Sequence, residues 1–497
     1  MSVYVRNVRN MPTSNQVAGK VMNNMKKILI LCLAAVAMTG CKTGKGVLST
    51  YKKENVVTEQ DLNTDSVFGD DLTAVALGGD AEGLGGLKWR ELFTDPVLQA
   101  LIERVLAQNT DIVNADFQLQ EVEHALKAAK LAFAPSISLN LNGASTRPWD
   151  PYNRNTYNNT LTYGIAMTLG WQNVNFLALR NAKKGAEISR QQMQYAKQAI
   201  QAQLVANTAT MYYTLAELDE QIELMNQTRD NWAEYLRMEK LLMDAGQSNT
   251  AVVSSIEATY WSICQSIVTL KDNVKIVENS LTALMSERPQ KISRSALDSF
   301  RAPKVIATGL PINVLRRRPD VNVSEMKLAK SFYDVNQARA AFFPSLTLTA
   351  TGQFTNNTGA GVVNPGIMIG QAVAGLAQPI FANGQLRAQL RISKEEFNIA
   401  KNNFVSCMIN AGNEVNTAMV KVRSAEELRE LIDNQVNALE TSYDANRKLY
   451  ANSSANYLNV ITAHNNLLNA RMTQISNRME AISATVELYQ ALGGGAE

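Results

Sequence analysis

Two stretches decide how this chain is read: "LAFAPSISLNL" at 131–141 and "AAFFPSLTLTA" at 340–350. Each has a Phe, one spacer, Pro-Ser, and then aliphatic residues alternating with Ser, Thr or Asn. Pro135 and Pro344 stand 209 residues apart in a chain of 497. After the first turn, Ile137, Leu139 and Leu141 alternate with Ser136, Ser138, Asn140 and Asn142. After the second, Leu346, Leu348 and Ala350 alternate with Ser345, Thr347, Thr349 and Thr351. Period two with one apolar side predicts a strand, and Pro at a strand's first position removes no interior ladder bond. Each strand leads into a loop rich in Asn, Gly and Pro, at 146–160 and 355–366, and a second strand returns. The first returning strand alternates clearly from Leu161 to Trp171. The second, about 367–378, alternates poorly and is assigned by its place in the repeat. Such lengths suit a tilted transmembrane strand, which needs roughly 9–11 residues. Alternation alone equally describes a soluble sheet with one wet face.

The segment after each strand pair is unlike a compact domain. From Phe176 to about Ala245 there is no Pro and Gly185 is the only Gly. Within it Leu204, Thr208, Met211, Leu215, Leu218, Ile222, Met225, Arg229, Trp232, Leu236, Glu239 and Met243 keep a 4-3-4-3 spacing, the mark of a coiled-coil seam. The second half repeats this composition from Gln385 to Tyr450. At about 1.5 Å per residue each helix is about 100 Å long, a rod. Both rods meet a similar turn, "MDAGQSNT" at 243–250 and "YANSSANY" at 450–457, and a helix returns from each. After the second turn a seam resumes at Ile461 and runs to Tyr489. Shorter helices over about 98–133 and 249–286 complete the first repeat.

The N-terminus carries an export signal. Met25-Lys-Lys opens "MKKILILCLAAVAMTGCK", with an apolar run too short to span a membrane and small residues ending at Cys41. Five of the 48 basic residues lie in 1–40, where there is no Asp or Glu, so cleavage leaves 43 basic against 45 acidic residues. That balance offers no concentrated basic face for a nucleic acid. Cys264 and Cys407 sit alone in helical patterns, so there is no disulfide framework. No apolar run of 18 residues follows the signal, so membrane entry would be through the strands or a lipid.

Four strands are too few to close a barrel, which takes about eight, and an open sheet in lipid leaves its edges unsatisfied. Oligomerisation is the natural escape. Three copies supply twelve strands and twelve helical columns. The fold class expected is an α+β membrane protein: a long helical coiled-coil barrel continuing into a 12-stranded transmembrane β-barrel, with four strands per protomer and two internal repeats, the trimer being what the resemblance below implies.

The chain resembles the TolC-like outer-membrane factor family, in its lipoprotein branch serving RND-type efflux systems (the NodT type). The residues carrying the resemblance are "GLPINVLRRRPDV" at 309–321, the two Phe-x-Pro-Ser turns at Pro135 and Pro344, "QPIFANGQLRAQL" at 378–390, "LYQALGGG" at 488–495, and the Met-Thr-Gly-Cys lipobox. Within Arg316-Arg317-Arg318-Pro319-Asp320, Pro319 can open a helix and Asp320 suits its positive end. The resemblance implies an acylated Cys41, no other cofactor and no metal. It also implies a homotrimer in the outer membrane reaching into the periplasm, a periplasmic adaptor and an inner-membrane RND-type pump as partners, and passive conduction of drugs or other small molecules. A protein-secretion channel is the nearest alternative, and a periplasmic coiled-coil scaffold a more distant one. By the same resemblance adaptor docking falls on the turns at Gly246 and Gln247 and at Ser453 and Ser454, and the periplasmic gate on Asn459 and Thr462. Relatives commonly carry aspartates at the gate; here both residues are uncharged.

The domain boundaries expected are a removed extension and signal at 1–40, a lipid-anchored tether at 41–88, a first repeat at 89–286, a linker at 287–318 and a second repeat at 319–497. Trp149, Tyr152, Tyr157 and Trp171 are candidates for an aromatic membrane belt or for loop packing. His124 and His464 lie far apart, and no HExxH, GxSxG, phosphate-loop or CxxC pattern occurs, so no enzyme is expected.

Overall fold

The computed structural model describes residues 47–52, 87–146, 160–297, 312–355, 368–451 and 457–496. In order, its elements are α1 (Trp89–Leu92), α2 (Pro96–Gln108), α3 (Thr110–Leu131), β1 (Ser136–Thr146), β2 (Thr160–Val174), α4 (Phe176–Asp244), α5 (Thr250–Leu284), a 3-10 turn (Ile312–Arg317), α6 (Pro319–Ala340), β3 (Ser345–Thr355), β4 (Met368–Ala377), α7 (Gln385–Ala451) and α8 (Tyr457–Ala491). They form two compact units, and each unit draws segments from both sequence repeats.

The first unit, from residues 125–187 and 329–398 with the short N-terminal segment, holds a four-stranded antiparallel sheet in the order β1-β2-β3-β4. Ile137 lies opposite Leu169, Leu139 opposite Met167 and Leu141 opposite Ile165. Ile165 and Leu169 in turn face Phe354 and Ala350, and Leu346 faces Leu376. The pleat therefore gathers the aliphatic residues of β1, β2 and β3, with Leu376 of β4, onto one side. Pro135 and Pro344 stand immediately before β1 and β3.

The turns that launch the strands are tied across the repeats. Asn175 caps α4, its Oδ1 accepting from the amides of Leu177 (3.1 Å) and Ala178 (3.0 Å). Its amide group donates to the carbonyls of Ala340 (2.6 Å) and Phe343 (3.3 Å), at the second Phe-x-Pro-Ser turn. The Trp171 indole donates to Phe133 O at 3.2 Å, in the first such turn. Trp171 thus belongs at the helix end of β2 and not with the 146–160 loop; Trp149, Tyr152 and Tyr157 lie outside the described residues. In the same unit Asn181 Nδ2 donates to Val47 O (3.1 Å), and the Tyr51 ring meets Phe332 edge-on at 6.0 Å. β2 runs three residues past its expected end, to Val174, with a break in pairing between Trp171 and Val174.

The second unit, from residues 87–124, 188–328 and 399–496, is helical. Helix α4 has 69 residues and α7 has 67, neither containing Pro. The α4 seam is where the heptad put it. Leu204, Thr208, Leu215, Leu218, Met225, Trp232 and Glu239 are all buried. Met225 and Trp232 pack with Ile256, Ile263 and Ile267 of α5, and with Tyr450, Ile461 and Leu468. Ile432 and Val436 of α7 pack with Leu467 and Ala470 of α8. The helix expected over about 98–133 is broken at Asn109, whose extended backbone ends α2. Its Oδ1 accepts from the Asp111 amide (2.8 Å) and its Nδ2 donates to Leu284 O (2.9 Å). An Asn that caps one helix while bonding another outweighs the continuous pattern around it. Among the described residues no helix is long and apolar enough to cross a membrane.

Candidate functional site: the two-faced sheet, the hairpin turn and the arginine cluster

None of the four strands contains an Asp, Glu, Lys or Arg. On the apolar side Ile137, Leu139 and Leu141 are 62–70% exposed, and Ile165, Met167, Leu169 and Leu376 are exposed too. On the other side stand Ser136, Ser138, Asn140, Asn142, Thr168, Thr347, Thr349, Thr351 and Gln353, with Thr168 and Thr351 within 3.3 Å of each other through their hydroxyls. The poor alternation of β4 is real: Val373 shares the polar side, and Gly370, Ala372, Ala374, Gly375 and Ala377 make up half of the 10-residue strand. An uncovered aliphatic face of this extent is costly in water and natural in hydrocarbon.

The turn between α4 and α5 is a Schellman motif. The Gln247 amide donates to Leu242 O (2.8 Å) and the Gly246 amide to Met243 O (2.9 Å). Gly246 has φ +76°, the left-handed conformation that a side chain resists. Asn249 caps α5 through the amides of Ala251 and Val252. Gly246 and Gln247 are exposed, as are Asn459 and Thr462; Thr462 Oγ1 donates back to Leu458 O at 2.9 Å. Ser453, Ser454 and Cys41 lie outside the described residues.

Just inside this turn is a polar and aromatic cluster of which the heptad supplies only Trp232 and Glu239. Buried Glu239 accepts from Tyr450 OH (2.8 Å) and from Ser248 Oγ, so one carboxylate joins α4, the turn and α7. Burial, together with this bond, pushes the Tyr450 hydroxyl up to about 12. Tyr235 and Tyr443 share a hydrogen bond of 2.8 Å. His464 is buried between Trp232 and Tyr443, ring centroids 5.6 and 5.1 Å away, and among the described residues neither ring nitrogen has a hydrogen-bond partner. Burial, with a smaller contribution from the Arg471 charge, pushes the imidazole down to about 4. A heptad search finds Glu239 as a polar seam position, but only three-dimensional contact shows that it is satisfied.

The five-residue motif divides. Arg316 and Arg317 are exposed, whereas the Arg318 side chain is 8% exposed. Arg318 grips Asp320 through two nitrogens (3.1 and 2.8 Å), Glu414 at 2.5 Å and the Ala491 carbonyl at 3.1 Å. Burial acts to raise the Asp320 carboxyl, but the Arg318 hydrogen bond and charge outweigh it and leave it below the usual range. Pro319 opens α6, and the Asp320 side chain accepts from the Val321 amide. The terminal glycines serve the same place: Gly493 has φ +87°, and a Cβ there would lie 3.0 Å from the Arg317 carbonyl carbon. Beside the cluster is a cavity of ≈ 700 Å³ lined by polar side chains including Gln203, Asn410, Asn413, Glu487 and Gln490. Among the described residues no three His, Cys, Asp or Glu side chains converge as metal ligands would.

The match of the outer membrane efflux protein family model covers residues 101–287 and 310–494, spanning both repeats. This chain belongs to the outer membrane efflux protein family. Cation efflux system protein CusC of Escherichia coli O6:H1 is 24% identical over 482 residues, which cover 94% of this chain and 98% of that protein. The toluene efflux pump outer membrane protein TtgC of Pseudomonas putida is 28% identical over 424 residues, 82% of this chain and 85% of that protein. The solved outer-membrane channel OprN shares the fold with a TM-score of 0.78 at 22% identity, over 86% of this chain and 96% of that one. The family is one of outer-membrane transport channels, and this chain has its helical body and few strands.

Proposed function

We propose that this protein is the outer-membrane exit channel of a tripartite efflux pump. Three copies form a twelve-stranded barrel and a helical tunnel, anchored by an acyl chain on Cys41. The observation that carries this reading is the sheet with one exposed aliphatic face and one uncharged polar face, joined by continuous chain to paired helices of 69 and 67 residues. The aliphatic face meets lipid, and the Ser, Thr, Asn and Gln side chains line the water path. A lining without charge filters neither cations nor anions strongly. Substrate choice therefore rests with the inner-membrane RND-type transporter and its periplasmic adaptor, and the channel supplies a path without chemistry of its own. The adaptor meets the exposed turn at Gly246 and Gln247 together with the turn at Ser453 and Ser454, and Asn459 and Thr462 narrow the closed end.

Photo-crosslinking in cells from a probe at Gln247, with mass spectrometry of what is captured, tests the assignment. Capture of an RND-type adaptor supports it. Capture of a secretion-system adaptor would keep the channel and change its cargo.

A further inference from the structure

His464 is a buried titratable side chain that no bond explains. It lies on α8, 8% exposed, between the Trp232 ring of α4 (5.6 Å away, planes at 65°) and the Tyr443 ring of α7 (5.1 Å, 51°). Among the described residues neither imidazole nitrogen has a hydrogen-bond partner, and neither does Trp232 Nε1. The polar groups that the packed helices bring near it are committed elsewhere. Tyr443 is bonded to Tyr235 of α4, and Glu239 of α4 accepts from Tyr450 and Ser248. Arg471 of α8 is paired with Glu440 of α7 at 2.7 Å. Asp444 and Arg447, which act on Tyr443 with opposite sign, are exposed, and so are Glu234 and Arg237 of α4, which pair with each other. Behind Trp232, α5 presents Ile256, Ile263 and Tyr260.

A second proton makes both ring nitrogens donors and adds a charge. In this pocket water is shut out, and no carboxylate bonds the ring to receive either N–H. The packed arrangement therefore holds the neutral imidazole, and a protonated one is relieved only by reaching water. We propose that His464 is an acid-sensitive latch on the closed end of the channel: neutral, it seats the start of α8 against α4 and α7; protonated, it releases that stretch and the end widens. This rests on the proposed function, in which Asn459 and Thr462 narrow the closed end.

The position of the imidazole suits that role. Helix α8 begins at Tyr457, and His464 follows Asn459 by five residues and Thr462 by two. From Leu458 to His464 the buried side chains are Val460, Ala463 and His464 itself, so the imidazole is the largest group anchoring this stretch. Leu458 is 62% exposed, and the Thr462 hydroxyl bonds only back to its own helix, at Leu458 O. Nothing else among the described side chains of these seven residues ties them to both α4 and α7. With an ordinary value near 6.5 when released and about 4 when seated, the group favours release as the pH falls. Between about pH 7.5 and about pH 4.5 the ratio of released to seated rises on the order of 50-fold in each copy.

The test is the conductance of the purified full-length protein in planar lipid bilayers as the pH is lowered, read beside the mobility of a spin label at Leu458 in a Cys264→Ala, Cys407→Ala background. The wild type should open at least tenfold more often at about pH 4.5 than at about pH 7.5, and the label should loosen over the same range. His464→Gln and His464→Phe carry no titrating group, one polar and one filling the pocket, and both should lose the acid response. Glu239→Gln should keep it, since the neighbouring carboxylate is not the sensor. A wild type that ignores acid or closes in it overturns the latch, and so does an acid response that survives in both His464 variants or disappears in Glu239→Gln. Loosening of the label without a change in an otherwise measurable conductance overturns the gating role and leaves the channel reading standing. Absence of conductance at every pH, from protein whose label does loosen, removes the channel reading itself.

Discussion

Replacing Arg318 with Met should open the end of α8 without touching either sheet face. The side chain is nearly as large as Arg but has no donors. Removing one partner from a fully buried ion pair costs about 3–5 kcal/mol. Here Asp320 and Glu414 retain 48% and 59% side-chain exposure, so both carboxylates rehydrate and most of that cost vanishes. What persists is the Ala491 carbonyl, left without its guanidinium donor at about 1–3 kcal/mol. The net expectation is about 2 kcal/mol, or roughly 30-fold in a local opening equilibrium. Hydrogen exchange of the amides of Leu492, Gly493 and Gly494, which bond to Leu488, Gln490 and Tyr489, reads it directly. Those amides should exchange roughly 30-fold faster in R318M. The control is Arg237→Ala, which breaks a pair whose side chains are 63% and 55% exposed and should change local protection little. If R318M matches that control, Arg318 is a surface residue in effect and the reasoning about the motif is wrong. Lysine should not rescue, because an ammonium cannot fork across Asp320 while reaching Ala491 O.

Acid should loosen the α4–α8 packing through His464. Its native pKa of about 4 lies below the ordinary 6.5, so the contribution is intact above about 6.5 and is lost as pH falls from there towards 4. His464→Phe should flatten exchange or melting curves across that window. Gly494→Ala drives a Cβ into the Tyr489 ring, whose hydroxyl donates to Leu87 O and accepts from Gly495 N. A loss of about 1–3 kcal/mol, visible as a lower melting temperature in detergent, is expected. On the sheet, Met167→Arg should reduce assembly into the outer membrane, since a cation near mid-bilayer on a lipid face costs about 2–4 kcal/mol, while Thr168→Arg should assemble and instead bias ion conduction.

The first three strands and the first rod are legible because each is a periodic pattern longer than any accident, and β4 and the second rod through their places in the repeat. Leu204 to Glu239 keep the heptad as a buried seam, and Ile137 to Leu141 keep period two on a single face. Asn109 was missed because one polar residue in a helical pattern looks the same whether it is solvated or capping. The extension of β2 to Val174 was missed because the ladder break hides the continuation. Arg318 reads as one of three equal arginines, and what separates it from its neighbours is tertiary: burial, Glu414 and the carbonyl of Ala491, 173 residues away. His464, Trp232 and Tyr443 carry no shared spacing, so their meeting belongs to tertiary structure alone.

The measurement closest to the central claim is the accessibility of spin labels in the outer membrane, one at a time at Leu139, Met167, Asn140 and Thr168. Labels at Leu139 and Met167 should relax with oxygen and be shielded from a water-soluble nickel chelate, and labels at Asn140 and Thr168 should show the reverse. If all four positions are open to the chelate, the sheet has two wet faces and the chain forms no barrel in lipid.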